Sequence, residues 1–200
     1  MGSPLADIIP GARGQLLATL VQLEAPVTVR ALARRAGVAP QTALTLVNEL
    51  TGIGLVFAQR AGQAQLVSLN RSHTLVPPLI ALTRSRERLI ELLRGELSAR
   101  PGLAGAWLFG PVARGDGDRG SVVELLLVAA TTTETPPWAD ATDRLIRQVQ
   151  SWTGNRVEVV EHSRGSFALA IRGGSRLITS IREDGVPLTQ GSQSLLRMSG

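Results

Sequence analysis

The chain has 200 residues, 44% of them apolar, with three Trp, three Phe, no Tyr and no Cys; that size admits one large domain or two small ones with cores of their own, and the composition describes an aliphatic globular protein and excludes a disordered one. Without Cys there is no disulfide framework and no thiolate metal site, and a reducing cytoplasm is the natural setting. The formal charge is +5 and all 21 basic residues are Arg, a bias that reads either as phosphate recognition by planar guanidinium forks or as the codon preference of the genome.

Met1 to Asp7 has neither a basic start nor an apolar core of signal-peptide length. The longest apolar run, Leu125 to Ala130, is far short of a membrane span, so the chain is read as cytoplasmic with no membrane partner. Helical spacing of Leu16, Leu17, Leu20 and Val21 predicts a first helix over Pro10 to Gln22, broken at Ala25-Pro26. Thr28 caps a second helix, Val29 to Ala36, which stops at Gly37. Pro40 opens a third, running to about Leu50. The apolar stretches 55–57 and 66–69, on either side of the polar tip Gln59 to Gln63, predict a β-hairpin.

Three helices followed by a hairpin read as a winged helix-turn-helix over residues 1–76. The turn needs small or apolar packed positions, and Ala33, Gly37, Val38, Ala43 and Leu46 supply them. Gln41, Thr42, Thr45 and Asn48 remain on the outer face, where amide and hydroxyl groups can read base edges in the major groove. Arg30, Arg34, Arg35 and Arg60 are placed for phosphates of double-stranded DNA. The competing reading is a winged helix used only for protein contacts or dimerisation.

Residues 77–100 form a connecting amphipathic helix, with Leu82, Leu89, Leu92, Leu93 and Leu97 on one side and Arg84, Arg88, Glu91 and Arg94 elsewhere. Periodicity leaves open whether it packs on the next domain or on a second copy. Residues 101–190 then read as strand (104–109), loop, strand (122–128), helix (139–152), strand (156–161) and helical material from Ser166 to Arg182, the signature of an α/β (α+β) sheet domain. Residues 191–200 are read as a flexible tail.

The segment from Gly110-Pro111 through Ala113-Arg114-Gly115 to Val122-Val123-Glu124, preceded by Trp107-Leu108-Phe109, resembles the signature of the minimal nucleotidyltransferases, relatives of DNA polymerase beta. In that family a Gly-Ser pair is followed about ten residues later by Asp-x-Asp on a strand, and the spacing here is the same. The resemblance implies a mixed sheet with flanking helices. It implies that Gly110 marks the phosphate turn, that Glu124 stands at the second carboxylate position, and that Glu158 on a neighbouring strand is the third. Such a site holds Mg²⁺ with a nucleoside triphosphate, the carboxylates gripping two ions that activate the attacking hydroxyl.

The pattern is broken at two positions. Pro111 stands where the family has Ser, removing an N–H and a hydroxyl. Val122 stands where it has the first Asp, and Val offers no hard oxygen donor. Gly110, Glu124 and Glu158 are therefore vestigial candidates, and no metal or cofactor is assigned. Asp116 and Asp118 read as solvated loop residues, and Glu124 and Glu158 alternatively as polar sheet residues or partners of Arg114. His73 and His162, far apart, suit surface or turn roles; Trp107, Trp152 and Phe167 suit the core.

The order winged helix, connecting helix, nucleotidyltransferase-like domain resembles bacterial regulators that pair DNA binding with such a domain. It implies a transcriptional regulator, as a homodimer on two half-sites, whose C-terminal domain is a pseudoenzyme used for dimerisation, sensing of a small-molecule or nucleotide ligand, or partner binding. The alternative is an active nucleotidyltransferase modifying a protein, RNA or small molecule, as an antitoxin-like partner does.

Overall fold

Capping chemistry sets the helix boundaries of the N-terminal half. In the computed structural model, which describes residues 4–118 and 120–197, the half opens with α1 (Pro4–Ile8), α2 (Ala12–Val21), β1 (Val27–Thr28) and α3 (Val29–Ala36). The Thr28 hydroxyl accepts from the Ala31 N–H at 3.1 Å, satisfying one of the orphan donors at the start of α3. Gly37 ends α3 in the left-handed region, at φ 67°. The Val38 N–H returns to the Ala33 carbonyl at 3.0 Å and the Gly37 N–H to that of Arg34 at 3.3 Å, a paired closure that requires a residue without Cβ strain. Pro40 at the first turn of α4 (Pro40–Gly52) lacks only an N–H that would have had no helical partner.

The hairpin follows as β2 (Val56–Ala61) and β3 (Ala64–Leu69). Ala61 pairs with Ala64, leaving a two-residue turn whose first position, Gly62, has φ 61°, as a type II′ turn requires. The strands are longer than the apolar stretches 55–57 and 66–69, because Gln59, Arg60 and Gln65 lie in the ladder with polar side chains. β1, too short to leave a sequence pattern, adds to β3 in a three-stranded antiparallel sheet of order β1-β3-β2. Leu16, Leu20, Leu32, Ala33, Ala43, Val47 and Val67 are fully buried in the core beneath. Burial of each large aliphatic side chain contributes about 1.5–3 kcal/mol.

The segment 77–100, expected to be one helix, is two: α5 (Val76–Thr83) and α6 (Ser85–Ser98). The Arg84 N–H closes on the Ala81 carbonyl at 3.1 Å and the Thr83 hydroxyl on that of Ile80 at 2.7 Å, ending α5 in a tight turn. The two stripes serve different cores. Val76, Leu79 and Ile80 join the N-terminal one, whereas Leu89, Ile90, Leu93 and Leu97 join the next. Accordingly the chain divides into two compact units between Ser85 and Arg86, inside the expected connector.

The second unit continues with β4 (Leu103–Phe109), α7 (Gly110–Arg114), β5 (Val123–Ala129), α8 (Pro136–Thr153), β6 (Val157–Ser163), α9 (Arg164–Arg172), α10 (Arg176–Asp184), β7 (Val186–Pro187) and α11 (Gly191–Arg197). Its sheet has the order β6-β5-β4-β7, with β5 and β6 parallel and the other pairs antiparallel. One face carries Ala106, Leu108, Leu125 and Leu127 against α6 and α8. The other carries Trp107, Phe109, Leu126 and Val128 against α9 and α10. Covering on both faces explains why β5 reads as an unbroken apolar run. Trp107 and Phe167 stack in the second core with centroids 5.4 Å apart, and Trp152 packs half-buried on the first. Two sheets with flanking helices make this an α+β protein.

The expected flexible tail is helical over residues 191–197, and only 198–200 lie outside the described residues. Ser192, fully buried, anchors it. Its hydroxyl accepts from the Ala106 N–H at 3.0 Å and donates to the Ala106 carbonyl at 2.8 Å, extending the β4 ladder beyond Pro187, where β7 ends. A Ser-rich, Gly-flanked segment gave no sign of this contact across the fold. Helical material 166–182 is likewise split, at Gly173-Gly174, with Ser163 and Ser175 capping the two helices.

Candidate functional site

Two sets of side chains were singled out by sequence, one in each unit. In the first unit, packing of Ala43, Leu46, Val47 and Leu50 into the core turns the opposite side of α4 outward. Gln41, Thr42, Thr45 and Asn48 are all exposed there. Gln41, Thr45 and Asn48 follow one another at four- and three-residue spacing, which aligns them along one stripe. The Thr45 hydroxyl bonds the Gln41 carbonyl at 3.1 Å, so its methyl and remaining lone pair face out.

A groove runs between α4 and the hairpin. One end is lined by Leu44, Asn48 and Arg60 with Gln63 and Gln65 of the hairpin, and the other by Arg30 and Gln41 with the same two glutamines. The structure thus brings Arg30, Gln41, Asn48 and Arg60 together along one groove. Arg34, Arg35, Thr42 and Thr45 are exposed but outside its lining. Gln63 and Gln65 were not among the residues singled out. The hairpin tip itself is legible in the sequence, but nothing there indicates that these two residues line a groove against α4.

Arg30, Arg34, Arg35 and Arg60 are exposed, and among the described residues none of them is held in an ion pair. Acidic neighbours do occupy other arginines. Arg13 pairs with Glu49 of α4, so that carboxylate is taken up while the guanidinium groups of α3 and the hairpin keep uncompensated positive charge among the described residues.

In the second unit, Gly110 leaves β4 with φ 73° and starts α7. The Phe109↔Glu124 register brings the Glu124 side chain directly against it. A Cβ at Gly110 would overlap the Glu124 carboxylate, so glycine is needed here for space as well as for backbone. Pro111 occupies the first turn of α7, and Val122 lies half-buried just before β5. Glu124 and Glu158 are register partners on the parallel strands β5 and β6. Partial burial raises the Glu124 pKa, repulsion from Glu158 adds to the rise, and Arg114 opposes it.

Neither Glu124 nor Glu158 is an ion-pair partner of Arg114, which instead bridges Asp116 and Asp184 at 3.2 Å each. Glu158 is paired with Arg156. Asp116 is therefore a pairing residue and not simply a solvated one. Asp118 accepts from the Gly120 N–H at 3.0 Å and the Ser121 hydroxyl at 2.8 Å, closing the loop on itself, and these bonds lower its pKa. Arg119 of this loop lies outside the described residues. His73 fills a turn role: its Nδ1 accepts from the Leu75 N–H and its Nε2 meets the Ile53 carbonyl at 3.2 Å. His162 is half-buried beside Phe167, and burial lowers its pKa. Among the described residues no group of three or more His, Asp or Glu converges on a metal-sized site, and no helix is long and apolar enough to cross a membrane.

No protein-family model matches the sequence, and no curated protein does. Among solved structures, the chain is similar to the crystal structure of a toxin-antitoxin with AMP-PNP, at 23% identity over 57% of this chain and 80% of that one, with a TM-score of 0.38. It is similar to the crystal structure of a mutant of the toxin-antitoxin MntA-HpeT at 24% identity over 57% of this chain and 82% of that one, also with a TM-score of 0.38.

Proposed function

We propose that residues 4–85 are a winged helix-turn-helix that binds duplex DNA, and that the chain is a cytoplasmic transcriptional regulator. The observation that carries this reading is the α4–hairpin groove. It joins amide side chains suited to base edges (Gln41, Asn48) with guanidinium groups suited to phosphates (Arg30, Arg60) on one exposed surface. The element order α2, β1, α3, α4, β2, β3 supplies a helix for the major groove and a hairpin for the adjoining backbone. Because α4 carries no Arg, base readout on this reading comes from Gln and Asn, with phosphates contributing most of the affinity.

Fluorescence anisotropy with a labelled random duplex tests it. The full chain binds at low salt, and Thr45→Glu, which sets a carboxylate on the exposed stripe without touching the core, abolishes binding while leaving thermal stability unchanged. Absence of duplex binding by the unmodified chain at low salt would sink the proposal.

On this reading the second unit is nucleotidyltransferase-like in fold and serves association or ligand sensing. Its donor set does not fit Mg²⁺ with a nucleoside triphosphate. Pro111 has no N–H for a phosphate, Val122 has no oxygen, and Glu158 is engaged by Arg156. A second reading, residual nucleotidyl transfer, is favoured by one observation: Glu124 and Glu158 face each other in register, close enough for mutual repulsion. Incubation with labelled nucleoside triphosphates and Mg²⁺ or Mn²⁺ separates the two. Transfer that disappears in Glu124→Gln selects the enzyme.

A further inference from the structure

The outward side of α4 carries a restricted set of base-reading groups. In the major groove guanine presents two acceptors, matched by Arg or Lys, and cytosine presents an amino donor, matched by Asp or Glu. The chain has no Lys, and α4 has no Arg. The carboxylate on this helix, Glu49, is paired with Arg13. On α4 both means of specifying a G·C pair are therefore missing or occupied.

What remains suits A·T pairs. Adenine sets an acceptor, N7, beside a donor, N6–H, and a side-chain amide sets a donor beside an acceptor, so Gln or Asn meets both at once. On guanine the amide oxygen would face O6, a second acceptor. Gln41 and Asn48 are exposed and line the groove against the hairpin, and among the described residues no hydrogen bond holds either side-chain amide. Between them, Thr45 donates its hydroxyl proton to the Gln41 carbonyl at 3.1 Å, leaving an exposed methyl of the kind that packs on the thymine methyl. Granted the duplex binding proposed for this groove, on which the inference rests, we propose that α4 reads a short run of A·T base pairs in the major groove. Gln41 and Asn48 each take an adenine, and Thr45 takes a thymine methyl.

Helix geometry sets the length of the run. Asn48 lies seven positions after Gln41, which at 1.5 Å per residue separates them by about 10.5 Å along the helix axis. Base pairs along the groove are spaced by about 3.4 Å. With the helix lying along the groove, the two adenines therefore fall about three base pairs apart, on either strand, with the thymine between them. Arg30 on α3 and Arg60 on the hairpin stand at the two ends of the groove. They flank this run and supply phosphate contacts that are blind to sequence.

The test is selection from a randomised duplex pool by the full chain, followed by anisotropy on the selected duplex. We expect enrichment of a core of about four A·T pairs, bound at least about tenfold more tightly than the same duplex with G·C pairs in their place. Replacing the core adenines by 7-deazaadenine removes N7 while leaving base pairing and the minor groove intact, and weakens binding at least about fivefold. Gln41→Ala and Asn48→Ala each relax the preference at one base pair by at least about fivefold, the two positions lying about three pairs apart. Arg60→Ala weakens A·T and G·C duplexes alike. Both amides are exposed, so the variants keep the circular dichroism of the parent. Four results overturn the proposal while the duplex-binding reading stands: binding at low salt without enrichment, a core of G·C pairs, an A·T preference that survives both amide variants, or one unmoved by 7-deazaadenine. The last assigns the preference to the minor groove or to DNA shape. A chain that binds no duplex at low salt overturns both.

Discussion

Replacing Arg34 and Arg35 by Ala removes two of the four exposed guanidinium groups on the proposed DNA side that no carboxylate among the described residues holds. Each Arg that neutralises a phosphate releases condensed counterions and adds about 0.9 to the slope of log affinity against log salt. Four contacts, from Arg30, Arg34, Arg35 and Arg60, give a slope of about −3.6, so raising salt from 50 to 200 mM weakens binding about 150-fold; with two contacts left the slope is about −1.8 and the loss about 12-fold. Both side chains lie in the last turn of α3, where favourable interaction with the helix C-terminus is worth about 0.3–1 kcal/mol each. The variant therefore folds, and its effect is read in affinity. Anisotropy titrations of a labelled duplex at five salt concentrations measure both slopes. An unchanged slope in the double variant would refute the phosphate assignment, and a slope near zero in the parent chain would refute electrostatic binding altogether.

Ser192→Ala leaves the buried Ala106 N–H without a partner while its carbonyl keeps the Leu188 N–H at 2.9 Å; the expected cost is about 2 kcal/mol, measured by urea unfolding, and a change below about 0.5 kcal/mol contradicts the ladder-extension role. Gly37→Ala meets no atom within 4 Å, so its cost is the left-handed backbone alone, about 1–2 kcal/mol, and Gly37→Asn is expected to lose less in the same thermal assay. Glu124→Gln carries a pH signature. A raised native pKa means that the native state holds the proton more tightly than the unfolded chain does. Stability from this group is present below the unfolded value of about 4.3 and is lost as pH rises through the native value. The Gln variant is therefore more stable than the parent at pH 7, and the difference disappears near pH 4; thermal melts at the two pH values check it, and an advantage that grows on acidification is the wrong sign.

Local chemistry made much of the first unit legible. Thr28, Gly37 and Pro40 mark helix boundaries through caps and backbone conformation, which depend on neighbours a few residues away, and the structure places those boundaries within two residues of the reading. The exposed face of α4 followed equally from periodicity. The strand-helix alternation after residue 101 and the Gly110-to-Glu124 spacing were visible for the same reason.

Tertiary structure decided what depends on distant partners. Residues 77–100 present one continuous amphipathic pattern, yet the chain breaks at Arg84 because its two apolar stripes belong to different cores, and periodicity does not record which core a stripe joins. The segment from Gly191 offers only a Leu195-Leu196 pair among Ser, Gln and Gly, too short a pattern to predict the helix that packs both leucines on the second core. A hydroxyl buried against Ala106, 86 positions away, ties it to β4 as well. The carboxylates show the same division. Their types and spacing lie in the sequence, as does the two-residue spacing that lets Arg156 reach Glu158 on one face of a strand, whereas the bridge from Arg114 on α7 to Asp184 on α10, 70 positions away, and the overlap that ties Glu124 to Gly110 where β4 and β5 lie side by side arise only in the folded chain. Backbone propensity acts over a few residues, but charge pairing and burial act across whatever surfaces the fold brings together.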